Sequence, residues 1–255
     1  MKIQFVSDLH LEFPENKNWL NKHPLPAIAE TLILAGDIMP LHQLSHHSDF
    51  LNFLSDHFKQ VFWVPGNHEY YYYDLSEYSH ACEWRLRNNV CLINNKTLMM
   101  GDIRFVFSTL WTHIPESDAP IIEKHLSDFY LIQYQNKPFD ASLYNSLHKQ
   151  SVQYVTNELT DAFSQAHKTV VVTHHVPTLL QYPPKYAGSA LNPAFAVELS
   201  EMIQTTSPHF WIYGHHHCNV KSFQLAQTQM LTNQLGYVRY HEHAGFQPEL
   251  CIDII

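Results

Sequence analysis

Apolar residues in this chain gather into short runs that stop abruptly on polar side chains. Ile3-Gln4-Phe5-Val6-Ser7 leads into Asp8 and His10, and Thr31-Leu32-Ile33-Leu34-Ala35-Gly36 leads into Asp37. Val61-Phe62-Trp63-Val64-Pro65-Gly66 ends on Asn67-His68-Glu69, Val170-Val171-Val172-Thr173 on His174, and Phe210-Trp211-Ile212-Tyr213-Gly214 on His215-His216-His217. Short runs rich in β-branched and aromatic residues, bounded by Gly or Pro, predict buried strands. Their carboxyl ends are where open α/β sheets assemble a site.

Other stretches predict the elements between them. Asp74-Leu75-Ser76-Glu77 has capping-box spacing and predicts a helix running toward Asn88. Val152, Val155, Leu159 and Phe163 recur at helical spacing within a helix expected from Ser142 to Ala166. Asn192-Pro193 supplies a cap and first-turn proline for a helix presenting Phe195, Leu199, Met202 and Ile203. Val90 to Trp111 predicts two strands around Met100-Gly101-Asp102, with further strands in Lys221–Tyr237 and Glu249–Ile255. The order predicts an α/β fold with a two-layered β core flanked by helices. No repeat or linker divides it, so residues 1–255 are expected to form a single domain. The least periodic stretch, 112–150, is expected to be a lid or substrate wall.

Composition narrows the function. The 255 residues, 45% of them hydrophobic, suffice for a substantial core. A net charge of −9 with only 15% charged residues argues against a general electrostatic grip on nucleic acid. Phosphorylated substrates stay open, because bound cations reverse the local sign. No apolar run reaches the ~20 residues that span a bilayer. The first run is broken too early, by Asp8 and His10, for a secretory signal. Cys82, Cys91, Cys218 and Cys251 lack CxxC spacing, which suits reduced thiols and a cytoplasmic location.

The polar residues at the strand ends are metal donors. Asp8 and His10, two apart at a strand end, are expected to point the same way. His215 and His217 repeat that spacing. Asp37 has two oxygens with which to bridge two ions, and Asn67 offers a neutral oxygen. Oxygen and imidazole donors without thiolate favour Mn, Fe, Zn, Ni or Co over a structural zinc. Two such ions ~3.5–4 Å apart can lower a water pKa from near 16 to about 7, giving a metal-bound hydroxide for in-line attack. His68, with Glu69 or another carboxylate to orient it, is placed to protonate the leaving oxygen.

Asp8-x-His10, Gly36-Asp37, Gly66-Asn67-His68-Glu69, Thr173-His174 and Gly214-His215-x-His217 resemble the ordered motifs of the calcineurin-like metallophosphoesterase superfamily. Further segments resemble a bacterial branch of it: Ser7-Asp8-Leu9-His10-Leu11-Glu12, Thr109-Leu110-Trp111-Thr112, Asp128-Phe129-Tyr130 and Leu191-Asn192-Pro193. The resemblance implies a four-layer α/β/β/α sandwich, with two mixed β-sheets flanked by helices. It implies that Asp8, His10, Asp37 and His217 hold one metal ion and that Asp37, Asn67, His174 and His215 hold a second. His68 would be catalytic, the ions Mn, Fe or Zn, and the partner a small phosphorylated substrate, a phosphate mono- or diester. Two departures stand out. Ile38-Met39-Pro40 lacks the second acidic residue of many members, and Asn233-Gln234-Leu235-Gly236-Tyr237 lacks their Pro and Arg.

Other residues have plainer expected roles. His175 and His216 should face away from the ions by alternation, and Cys218 should neighbour the site without joining it. Tyr70 to Tyr73 suit packing or an interface better than stacking a base. His113, Asp128 and Tyr130 could line the substrate wall or serve structure, and His241-Glu242-His243 reads as surface. Two other functions fit the same motifs. One is a non-catalytic metal-binding scaffold that recruits protein partners, against which the intact His68 and donor set argue. The other is hydrolysis of a non-phosphate ester or nucleotide pyrophosphate.

Overall fold

The computed structural model describes residues 1–77, 81–161 and 168–254. Within them, two six-stranded sheets stack face to face. The first runs, in spatial order, Cys251–Asp253, Lys2–Val6, Thr31–Ala35, Gln60–Val64, Val90–Asn94 and Cys82–Arg87. The second runs Phe223–Leu225, Thr228–Leu231, Phe210–Ile212, Lys168–Thr173, Ile103–Ser108 and Lys96–Met100. In each, the four central strands are parallel and both edge strands antiparallel. Both sheets are therefore mixed, as expected.

The strands look uniformly apolar because both faces are covered. Ile33 and Ala35 point into the inter-sheet core with Phe5, Phe62, Phe105, Phe107, Val170 and Val172. Their neighbours Leu32 and Leu34 point outward against Leu20, Leu51 and Leu54, which belong to the helices Pro14–Lys22 and Ser48–His57. On the far side, Val106, Val171 and Trp211 meet Val155 and Ile203, from the helices Ala141–Thr160 and Ser200–Thr206. Each apolar side chain buried this way is worth about 1.5–3 kcal/mol. The result is the expected helix–sheet–sheet–helix sandwich. Ser7 lies between the sheets, its N–H donating to Asn233 O and its C=O accepting from Leu235 N. The carboxyl ends of both parallel sets thereby share one edge.

Three expectations change. The helix predicted from Asp74 is a 3-10 turn at Leu75–Glu77, followed by the edge strand Cys82–Arg87. The Asp74 carboxylate accepts from Ser76 N but also from Gln135 N and Asn136 N, so it ties down a distant hairpin instead of starting a helix. Val90 to Trp111 contains three strands, because the chain leaves the first sheet at Asn95 (φ +46°) before making the hairpin turn at Gly101. After the 3-10 turn Asn192–Ala194, Val197 N donates to Val176 O, which takes the backbone group a continuing helix would need. The next helix starts only at Ser200. The 112–150 stretch builds the helices Ala119–His125 and Asp128–Leu131 over a separate apolar cluster around Trp111, Phe129, Phe139 and Tyr144. The helix predicted to Ala166 is seen from Ala141 to Thr160; its expected end, with Phe163, and Ile255 lie outside the described residues.

Candidate metal centre

The donors sit beyond the strands, in the loops that follow them. Asp8, His10, Asp37, His215 and His217 all have positive φ, between 47° and 77°. The pairs two apart therefore converge through left-handed turns and not, as the sequence suggested, through strand pleating. Such backbone costs of order 1–3 kcal/mol per residue and persists where surroundings over-determine it. Here the loops lace together: Asp8 N donates to Gly36 O at 2.9 Å, His10 N to Asp37 O at 3.0 Å, and Gly214 N to His174 O at 3.0 Å. The Asp8 carboxylate also accepts from Ser7 Oγ and from His215 N. Glycine is required where loops meet. A Cβ on Gly36 would strike the His174 ring, and one on Gly66 the Asp37 carboxylate.

Three donor groups result among the described residues; one is His10, Glu12 and His68, and the other two share Asp37. Asp8, His10, Asp37 and His217 each bring one ligand atom within 4.8 Å of the others, and so do Asp37, His174 and His215. Asn67 joins the second group, its Oδ1 3.3 Å from His174 Nε2. Asp37 Oδ1 accepts from His68 N at 2.9 Å. It is Oδ2 that stands between the groups, 3.3 Å from His174 Nε2 and 3.8 Å from His10 Nε2.

The imidazoles are oriented from behind. His10 Nδ1 lies 3.1 Å from Glu12, His217 Nδ1 2.8 Å from Glu242, and His174 Nδ1 2.9 Å from Ala35 O. With those nitrogens engaged, His10 and His217 turn their Nε2 atoms toward each other at 2.9 Å. His174 Nε2 likewise faces His215 Nδ1 at 3.0 Å. Facing acceptor nitrogens need a shared proton or a cation between them. Burial opposes charge on His174, yet Asp37 beside it outweighs burial and raises its pKa to about 9. His217 rises to about 10, burial again being outweighed, here by Asp8 and Glu242. Protons thus hold positions that a divalent ion fits, and the oxygen and imidazole donor set suits Mn, Fe or Zn.

His68 stands beside these groups, buried, with Nε2 3.9 Å from Asp37 Oδ2 and 3.4 Å from Tyr237 OH. Its orienting carboxylate is Glu12, 2.8 Å from Nδ1, and not Glu69. Glu69 accepts from the N–H groups of Asp37, Ile38, Gly66 and the Trp63 indole, so it braces the loops. Asp128 accepts from Asn67 Nδ2 and Tyr71 OH, both at 2.8 Å, which turns the amide oxygen of Asn67 toward His174. Glu242, expected at the surface, is half-buried behind His217. A carboxylate two residues past His10 was visible in the Ser7–Glu12 motif. Nothing local marks Glu242, which is 25 positions from its histidine.

The remaining residues fall outside the donor groups. His175 bonds Thr109 O, and burial, then the charge on His174, lowers its pKa to about 3. His216 accepts from Gln234 Nε2. Tyr70 packs on Trp111, whereas Tyr71 lies against His68, ring centroids 4.1 Å apart. His113 and Tyr130 are exposed, and Leu235 is in the core. A cavity of about 400 Å³ opens over Asp37, Asn67, His68, His215 and His217; from 112–150 only His125, Leu126 and Ser127 reach it.

This chain belongs to the calcineurin-like phosphoesterase family, whose model matches residues 1–219. An uncharacterized protein of Acanthamoeba polyphaga mimivirus is 32% identical over 278 aligned positions, covering 99% of this chain and 96% of that protein. Among solved structures, the phosphopantetheinyl hydrolase of Mycobacterium tuberculosis superposes with a TM-score of 0.63 at 16% identity, covering 95% of this chain and 92% of that one. That likeness establishes the shared fold. Family members typically bind divalent metals, and the Asp/His cluster here can hold one. No helix among the described residues is long and apolar enough to cross a membrane.

Proposed function

We propose that this chain is a two-metal phosphoesterase that hydrolyses a phosphate mono- or diester. Asp8, His10, Asp37 and His217 hold one ion, Asp37, Asn67, His174 and His215 the other, with Mn, Fe or Zn the fitting metals. The observation that carries this reading is the pair of donor groups meeting at Asp37 Oδ2, each containing imidazole nitrogens that face one another at 2.9–3.0 Å. Two such ions, when bound, would neutralise phosphoryl charge and acidify a water.

The chain's own groups do the rest. Burial opposes a charge on His68, but Asp37 and Glu12 outweigh it and raise its pKa above the ordinary 6.5. Both carboxylates favour the protonated ring, and Nε2–H is the group that can deliver a proton to a departing alcohol oxygen. Glu12, held ionised by His10 and His68 with a pKa of about 2 despite its burial, keeps Nδ1–H in place. Asp128 fixes the Asn67 amide, and the cavity sets what can be bound.

The test is hydrolysis of p-nitrophenyl phosphate and bis(p-nitrophenyl) phosphate by Mn-loaded protein, with and without a chelator. Turnover of at least one, abolished by chelation and restored by Mn, is expected. Loaded protein that hydrolyses neither would overturn the reading.

A further inference from the structure

The cavity has aromatic surface on two sides of the donor groups. Tyr71 and Tyr237 gather around His68, their ring centroids 4.1 Å and 6.4 Å from its own. On the other side stand Tyr182, Tyr186, Leu191 and Phe195. Phe195 stacks on His215, with centroids 4.6 Å apart and planes at 28°, so this surface begins at the cluster itself. Tyr186 OH donates to His216 O at 2.7 Å and Tyr182 OH to Asn192 Oδ1 at 3.4 Å. With the hydroxyls turned to their own chain, rings are what remain to meet a ligand.

The charges point the same way. Among the described residues lining the cavity there is no Lys or Arg, and Glu242 lies in its wall. Lys185 is not part of the lining; its Nζ sits 4.6 Å from the Tyr186 ring centroid. Glu242 is already balanced by His217 Nδ1 at 2.8 Å and by Lys185, so the lining keeps no cation for an anionic substituent. A small monoester would leave most of the ~400 Å³ to water. A diester has two substituents, one for each side.

We propose that the Tyr182–Phe195 wall is a subsite for a planar, uncharged aromatic group, making aromatic phosphodiesters the substrate class. This rests on the phosphoesterase reading above. Water adds to phosphorus, giving up one proton to solvent from which His68 is later reprotonated, and the P–O bond to the alcohol beside His68 breaks. The proton of His68 goes to that oxygen, and the product monoester keeps the aromatic group on the wall.

The test compares two substrates with one leaving group, bis(p-nitrophenyl) phosphate and methyl p-nitrophenyl phosphate, on the Mn-loaded full chain. The aryl diester should have a kcat/KM higher by about tenfold or more, the gain expected of one stacked ring. Tyr182→Leu and Tyr186→Leu should lower the ratio, while Tyr182→Phe and Tyr186→Phe, which keep the rings, should preserve it. Equal values for the two diesters in the parent chain, or a ratio unmoved in both leucine variants, would overturn the subsite and leave the phosphoesterase reading intact. Failure to hydrolyse either diester or p-nitrophenyl phosphate removes that reading, and the subsite with it.

Discussion

The Glu12 carboxylate accepts from His68 Nδ1 at 2.8 Å, across 56 positions of sequence. The same oxygen lies 3.1 Å from Nδ1 of His10. One side chain thus orients a proposed metal donor and the proposed acid together.

Glu12→Gln keeps the shape and removes the charge that holds both imidazoles. We predict a fall in turnover of about 10–100-fold, the usual cost of losing a partner behind a metal site. Steady-state kinetics with measured metal content checks it. Parent-level kcat at full occupancy would show that Glu12 is dispensable.

His68→Ala should keep both ions and lose turnover by about 10²–10⁴-fold. The loss should be smaller for esters of acidic phenols, which need less help in leaving. Elemental analysis beside kinetics across a leaving-group series reads both effects. Loss of an ion in this variant would make His68 a donor and not the acid.

Asp37→Asn should lower occupancy in both donor groups together, because Oδ2 stands between them. Equilibrium dialysis with metal analysis distinguishes this from loss of a single ion, which would contradict a shared carboxylate.

Metal loading should release protons. His174 and His217, with pKa values raised to about 9 and 10, both carry their second ring proton at pH 7 in the metal-free chain. Coordination needs those nitrogens bare. Calorimetric titration in buffers of different ionisation enthalpy should therefore find at least about two protons released per fully loaded chain near pH 7, two from these imidazoles and any further one from metal-bound water. The number should decline as pH rises through 9 to 10. In the metal-free protein those raised values stabilise the fold fully below the ordinary 6.5, and the stabilisation is lost as pH rises through the same upper range.

Much of this was legible in the sequence because the strands are buried on both faces. Their apolar runs are unbroken and their ends abrupt, so Asp8, Asp37, Asn67, His174 and His215 announced themselves by position. The convergence of His10 and His217 was inferred from strand pleating, while left-handed turns bring it about; spacing reveals proximity but not backbone conformation. Asp74 misled because its carboxylate suits a helix cap and a tie to a hairpin equally well, and only tertiary contacts decide between them. Glu242 and Asp128 act through histidine and asparagine partners 25 and 61 positions away. No periodicity carries that information. The sheet crossing at Asn95 was hidden for a related reason: Val90–Asn94 and Lys96–Met100 read as one apolar stretch, although they belong to different sheets.

The most direct test of the two-ion centre is anomalous diffraction from crystals of the Mn-loaded protein, recorded at the Mn edge. We predict two separate peaks on either side of Asp37 Oδ2, one among Asp8, His10 and His217 and the other among Asn67, His174 and His215. A loaded crystal with no peak there, or with a single peak bound by only one of the two groups, would contradict it.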